Sequence, residues 1–159
     1  MEIKLKNITV EFLDSMLEKI KNYTQNEGEN EAGGILLGGF IPEKNKYVIT
    51  DVSVPNNSDD SGPCFFLRNY ESAQRIINKY WRESAGRINY LGEWHTHGCK
   101  NPYPSLEDRK LLKMIISDKS NVWNEVFMLI LGNNNSFYLG MAYKKDEEIT
   151  IEEILVREE

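Results

Sequence analysis

The chain reads as an α/β sandwich in which a mixed β-sheet is flanked by about three helices. Three observations predict this. Short apolar, strand-like runs alternate with three stretches of helical periodicity. Two pairs of those runs are joined by turn sequences, and the resulting hairpins exclude a purely parallel sheet. No repeat, low-complexity tract or long linker divides the 159 residues, so residues 1–159 are expected to form a single domain.

The elements follow in order. Residues 2–8 alternate as a short strand. Beyond Thr9, a candidate cap, Phe12, Leu13, Met16, Leu17, Ile20 and Tyr23 recur at helical spacing, and the polar residues 24–30 end that helix. Gly33 to Phe40 is an apolar run between glycines and reads as a buried strand. Its hairpin partner is Lys46 to Val54, across a turn built on Pro42 and Asn45. Residues 55–63 form a Pro/Asn/Asp/Ser/Gly loop. A second helix is predicted from Asn69 to Ser84, with Ala73, Ile76, Ile77 and Tyr80 on one face. Asn89 to His97 reads as a strand. A third helix follows from Ser105 to Ser117, with Leu106, Leu111, Leu112, Ile115 and Ile116 as its apolar face. Val126–Leu131 and Ser136–Tyr143 flank Gly132-Asn133-Asn134-Asn135, a hairpin signal, and Glu148–Val156 supplies a last strand. The aromatic group Phe65, Phe66, Tyr70, Tyr80 and Trp81 reads as core, and the acidic end from Glu147 to Glu159 as a solvated face.

Composition excludes several function classes. The net charge is −6, from 25 acidic and 19 basic residues with no basic cluster, which argues against nucleic-acid binding. No window approaches a membrane span or a signal peptide, and two cysteines make no disulfide framework. A soluble cytoplasmic protein without membrane association is expected. Cys64, beside two phenylalanines, reads as buried.

Metal-ligand chemistry is concentrated in residues 93–108, which hold both histidines of the chain, His95 and His97, followed by Asp108. In a strand, side chains two apart share a face, so both imidazoles can converge on one ion while Trp94 and Thr96 point away. Two imidazoles and a carboxylate are the protein ligands of a catalytic Zn²⁺ that keeps its fourth position for water. Each element also has a plainer explanation. A His-x-His pair alone is a weak signal, and Ser105-x-x-Asp108 can be a helix capping box after Pro104. Glu31 can be an ordinary acid before a strand. Glu93 can orient a ligand or serve as a structural acid at the edge of the site.

The joint spacing resembles the JAMM metalloprotease (JAB/MPN-domain) signature: His95-x-His97, seven residues, Ser105, two residues, Asp108. A distant Glu31 stands before the Gly-rich strand Ala-Gly-Gly-Ile-Leu-Leu-Gly, and Tyr90-Leu-Gly-Glu-Trp-His-Thr-His is most similar to the compact prokaryotic branch. The resemblance spans roughly residues 8–145. It implies a cytidine-deaminase-like α/β sandwich. It implies one Zn²⁺ per chain on His95, His97 and Asp108, with Glu31 as the proton shuttle and Ser105 as the oxyanion donor. Many members carry proline after the second histidine, where this chain has Gly98-Cys99. Cys99 reads as a bystander thiol, because a thiolate ligand would occupy the water position.

The activity implied is that of a zinc isopeptidase acting after the C-terminus of a ubiquitin-like protein, by deconjugation or precursor processing. The similarity to the prokaryotic branch further implies a ubiquitin-like conjugation operon with an E1/E2-like partner in CBASS-type antiphage defence. Two alternatives stand beside it: trimming of a sulfur-carrier protein, and a non-catalytic scaffold, against which all five site positions argue. Nucleobase deamination is excluded, because its zinc site uses Cys-x-x-Cys and the chain has none.

Overall fold

A computed structural model describes residues 1–157 of the chain. Its amino terminus is a hairpin rather than one strand. Strands β1 (Glu2–Leu5) and β2 (Ile8–Phe12) pair antiparallel, and β2 also pairs parallel with β4 (Lys46–Val52). Thr9 therefore lies inside β2 and caps nothing. Ile8, Val10 and Phe12 are all buried on one face, so their period of two, reinforced by ladders on both sides, overrides the helical spacing that begins at Phe12. The first helix, α1 (Asp14–Lys21), starts after Leu13 without a side-chain cap and buries Met16, Leu17 and Ile20.

The central hairpin is as predicted: β3 (Gly33–Ile41) turns through a 3₁₀ segment at Pro42–Lys44, with left-handed Asn45, into β4. The expected loop that follows is partly structured. β5 (Asp60–Gly62) and β6 (Phe65–Leu67) form a separate two-stranded hairpin. Helix α2 (Tyr70–Glu83) is capped by Asn69, whose side chain accepts the Ser72 N–H. Then come β7 (Asn89–Thr96), α3 (Leu106–Ser117), β8 (Glu125–Leu131), β9 (Phe137–Lys145) and β10 (Glu148–Val156). Glu158 and Glu159, the end of the acidic face, lie outside the described residues.

The main sheet has the order β1-β2-β4-β3-β7-β8-β9-β10, parallel at β2–β4 and β7–β8 and antiparallel elsewhere. The α/β architecture, with three α-helices and a mixed sheet, is the one the sequence predicts. The sheet curls until distant strands touch. Phe12 of β2 packs edge-on against Phe137 of β9, with ring centroids 6.0 Å apart, and the concave face encloses the largest core, with α1 closing it. The convex face carries two smaller clusters: α2 covers β3, and α3 covers β8 and β9. Strand β7 runs between these helices. No helix among the described residues is long and apolar enough to cross a membrane.

Three expectations about burial fail. Cys64 is exposed at the tip of the β5–β6 hairpin, because that hairpin stands off the core. Phe65 is about half exposed on the same hairpin, and Tyr70 and Trp81 are half exposed or more, since α2 buries only Ala73 fully and its aromatics flank the contact stripe. Leu106 is exposed as the first residue of α3, before the helix meets the sheet.

One backbone feature places the site. Opposite β3, register slips between the pairs Leu36↔Gly92 and Leu37↔Tyr90, leaving Leu91 as an extra residue in β7. Gly92 holds φ +143°, and a Cβ there would run into the Phe127 carbonyl of the paired strand. Replacing it therefore combines backbone strain with a steric clash. Gly92→Ala should destabilise the protein by about 3 kcal/mol or more in urea unfolding. A change within experimental error would show that the bulge tolerates a side chain.

Candidate metal centre

The bulge sets which side chains of β7 face outward. Leu91 and Trp94 join the concave core, while Tyr90 packs with the convex cluster under α2. Beyond the bulge, strict alternation puts Glu93, His95 and His97 on the convex side, in the gap between α2 and α3. His95 is buried at the C-terminal end of β7. His97 follows immediately, held by its N–H to the Leu131 carbonyl at 2.9 Å. This is also where the parallel β7–β8 pair opens to receive the α3 crossover, a recurrent place for ligand sites.

Asp108 arrives from the first turn of α3. The capping box is real: the Asp108 N–H donates to Ser105 Oγ at 3.1 Å, and the Ser105 N–H donates to Asp108 Oδ2 at 2.8 Å. The cap and the metal reading are compatible, because the cap orients the carboxylate towards the histidines. Asp108 Oδ1 lies 3.2 Å from His95 Nε2, Oδ2 lies 3.3 Å from His97 Nε2, and the two Nε2 atoms are 3.2 Å apart. The separation of the two Nε2 atoms matches the edge of a tetrahedron, about 3.3 Å, around an ion with bonds of about 2.0–2.1 Å, and the carboxylate sets one oxygen against each ring. These three residues form the His/Cys/Asp/Glu group among the described residues that could hold a metal ion. Burial alone would raise the Asp108 pKa. The two imidazoles, with the Ser105 N–H, instead hold it far below the usual carboxylate range.

Glu31 is buried, contrary to the surface-acid alternative. It precedes β3, but the β3–β7 pairing continues past Gly33↔His95. The Thr96 N–H donates to the Ala32 carbonyl at 2.9 Å, which sets Glu31 opposite His97. Its Oε1 stands 3.8 Å from His97 Nε2, outside the close triangle of donors. Its pKa is raised: burial outweighs the attraction of His95 and His97, and the Asp108 charge pushes in the same direction as burial. A buried acid held at the edge of a cation site is suited to taking up and releasing a proton.

Glu93 proves to be part of a different cluster. Its carboxylate accepts Arg68 Nε at 2.7 Å and the Tyr90 hydroxyl at 2.8 Å, which ties the start of α2 to the strand. Burial raises its pKa against the pull of Arg68. Arg68, Tyr90 and Glu93 line a cavity of about 410 Å³ between α2 and α3. Trp123 lies at the opposite end of β7, with its indole N–H on the Tyr90 carbonyl at 2.8 Å. Tyr103 is exposed in the 98–104 loop. That loop is anchored: the Cys99 carbonyl accepts the Asn133 N–H at 2.9 Å, and the Lys100 carbonyl accepts the Ser136 hydroxyl at 2.5 Å. The sequence reading overlooked the β5–β6 hairpin, whose Gly62 carbonyl accepts the Glu31 N–H at 2.8 Å. Gly62-Pro63 between two short apolar stretches was its available signal.

The cap and the ligand roles can be separated experimentally. In metal-free protein, Ser105→Ala and Asp108→Ala should each cost about 1 kcal/mol of stability. In chelator competition, Ser105→Ala should keep one divalent transition-metal ion per chain, while Asp108→Ala weakens binding by more than about 100-fold. Unchanged affinity in Asp108→Ala would remove that residue from the centre.

Comparison with known proteins agrees with this geometry. Residues 13–145 match the family described as prokaryotic homologs of the JAB domain. A CD-NTase/cGAS isopeptidase of Vibrio cholerae is 35% identical over 120 residues, 75% of this chain and 70% of that protein. A probable metalloprotease of Sinorhizobium fredii is 27% identical over 121 residues, 75% of this chain and 73% of its own. The solution structure of a protein from Desulfitobacterium hafniense shares the fold, with a TM-score of 0.59 at 21% identity, covering 94% of both chains. With the family match spanning most of its length and the donor triangle at the end of β7, the chain belongs to the prokaryotic JAB (JAMM) family.

Proposed function

We propose that the chain, acting as one JAB domain over residues 1–159, is a zinc isopeptidase. It hydrolyses the amide bond that follows the C-terminus of a ubiquitin-like protein or, in keeping with the names of its relatives, of a CD-NTase joined to a target. Such conjugates require an E1/E2-like enzyme to make them. The setting is CBASS-type antiphage defence in the cytosol. The observation that carries this reading is the meeting of His95, His97 and Asp108, two imidazole nitrogens 3.2 Å apart with a carboxylate oxygen against each, with buried Glu31 just outside them.

His95, His97 and Asp108 would hold the ion, which when bound polarises the scissile carbonyl and lowers the pKa of water. Glu31 takes a proton from the attacking water as its oxygen adds to the carbonyl carbon. It returns that proton to the amine nitrogen as the C–N bond breaks. Ser105 Oγ already accepts the Asp108 N–H, so its own proton is free to donate to the carbonyl oxygen as negative charge develops there.

Access also supports a protein substrate. Ser105 is exposed, whereas His95 and Glu31 are buried, so the centre is approached from the α3 side. The groove between α2 and α3 presents Tyr70, Met114 and Val122, each more than 60% exposed, a concentration of apolar surface suited to contact with a folded protein. A flexible C-terminal tail could then reach the centre in extended form, held by main-chain hydrogen bonds.

The test is cleavage of C-terminal fusions of cognate ubiquitin-like proteins and CD-NTases by zinc-loaded protein. Glu31→Gln should lower kcat by about 10²–10⁴-fold while retaining zinc, and Ser105→Ala by about 10²–10³-fold. Full activity in Glu31→Gln would sink the shuttle role, and no cleavage of any fusion would sink the isopeptidase reading.

A further inference from the structure

Gln25 sits in the polar stretch after α1 and has no role in the chemistry described above. It is nevertheless only 3% exposed, and three of its hydrogen bonds reach three separate segments. Its Nε2 donates to the Glu29 carbonyl at 2.8 Å and to the Pro63 carbonyl, at the tip of the β5–β6 hairpin, at 3.2 Å. Its Oε1 accepts the hydroxyl of Thr96 at 2.9 Å, and Thr96 Oγ1 in turn accepts the Ala32 N–H at 3.0 Å. Thr96 lies between the two histidines, and Ala32 adjoins Glu31. A fourth segment packs against the same amide: a Cβ on Gly98 would lie 3.2 Å from the Asn26 carbonyl oxygen and 3.5 Å from Gln25 Nε2. The close fit gives a local reason for glycine after His97.

We infer that Gln25 is a positioning residue. It holds the arm bearing Glu31, the β5–β6 hairpin and the histidine strand in one fixed relation. The inference rests on the proposed role of Glu31. Only a primary amide of this length supplies an acceptor for Thr96 and two donors for the carbonyls. Without it, Glu31 remains linked to the hairpin by its own N–H on Gly62 and Ala32 remains bonded to Thr96, but the Thr96 hydroxyl that receives the Ala32 N–H loses its own acceptor, and the Glu29 turn and Pro63 lose their tie to it. His95, His97 and Asp108 do not depend on that tie, because β8 and the α3 cap hold them. The predicted consequence is a misplaced shuttle beside an intact metal site.

Gln25→Met removes all three hydrogen bonds. Gln25→Glu keeps the acceptor for Thr96 and removes both donors. Both variants should bind one zinc per chain. On the fusion cleaved by the wild-type protein, at a temperature where both are fully folded, kcat should fall about 10- to 100-fold. KM should stay within about threefold. In zinc-free protein, amide hydrogen exchange at Glu31 and Ala32 should speed up at least about tenfold, while Leu129 and Ile130 in β8 are unchanged. Wild-type kcat in the folded variants, a loss that tracks zinc occupancy, or a rise in KM alone would overturn the inference. So would unchanged exchange at Glu31 and Ala32. Failure of the shuttle reading itself appears separately, as activity in Glu31→Gln, and leaves the exchange experiment decisive for the tie.

Discussion

The extra residue in β7 is the constraint on which the site depends. A strand that alternated without interruption could not place both Leu91 and Trp94 in the concave core while presenting Glu93, His95 and His97 on the other face. The bulge at Leu91–Gly92 changes the phase once, so one strand serves a packed interior before and after the slip. Glycine is required there because the paired β8 carbonyl occupies the space of a Cβ. The cost is local, and the neighbours that over-determine the strand, β3 on one side and β8 on the other, keep it in place.

Around that strand, structural and chemical roles coincide in the same atoms. The Ser105–Asp108 capping box satisfies helix N–H groups and at the same time aims a carboxylate at two imidazoles. The Thr96 hydroxyl, on the face opposite the histidines, links β7 to the arm that carries Glu31. The consequence is a centre whose donors come from a strand end and a helix start, both rigid, while Glu31 is held from a loop by hydrogen bonds of its neighbours. Such an arrangement limits the reorganisation needed when charge develops at the site.

Much of this was legible in the linear chain because its physics is local. Helix α3, the β3–β4 and β8–β9 hairpins and the His-x-His face follow from periodicity and turn chemistry within a few residues. The errors have non-local causes. The period-two burial of Ile8, Val10 and Phe12 prevailed over helical spacing because β2 gains a parallel partner, β4, more than thirty residues away. Apolarity alone assigns Cys64, Phe65 and Tyr70 to the core, yet they sit on a hairpin and a helix edge that the curled sheet does not reach. Gln25 gave no signal, since a buried amide is identified only by the carbonyls that surround it.

The sequence by itself determined the alternation of strands and helices, the spacing of His95, His97, Ser105 and Asp108, and the distant Glu31 of the family pattern. The first two are set by residue type and short-range periodicity, and Glu31 stands out only through the family resemblance. Only the tertiary structure decided that the two imidazole nitrogens and the Asp108 carboxylate meet at 3.2–3.3 Å, that Glu31 is buried opposite His97, and that Glu93 belongs with Arg68 and Tyr90. Those distances depend on the register between strands remote in sequence, on one bulge, and on the curl that closes the sheet. None of these can be read from the order of residues along a single strand.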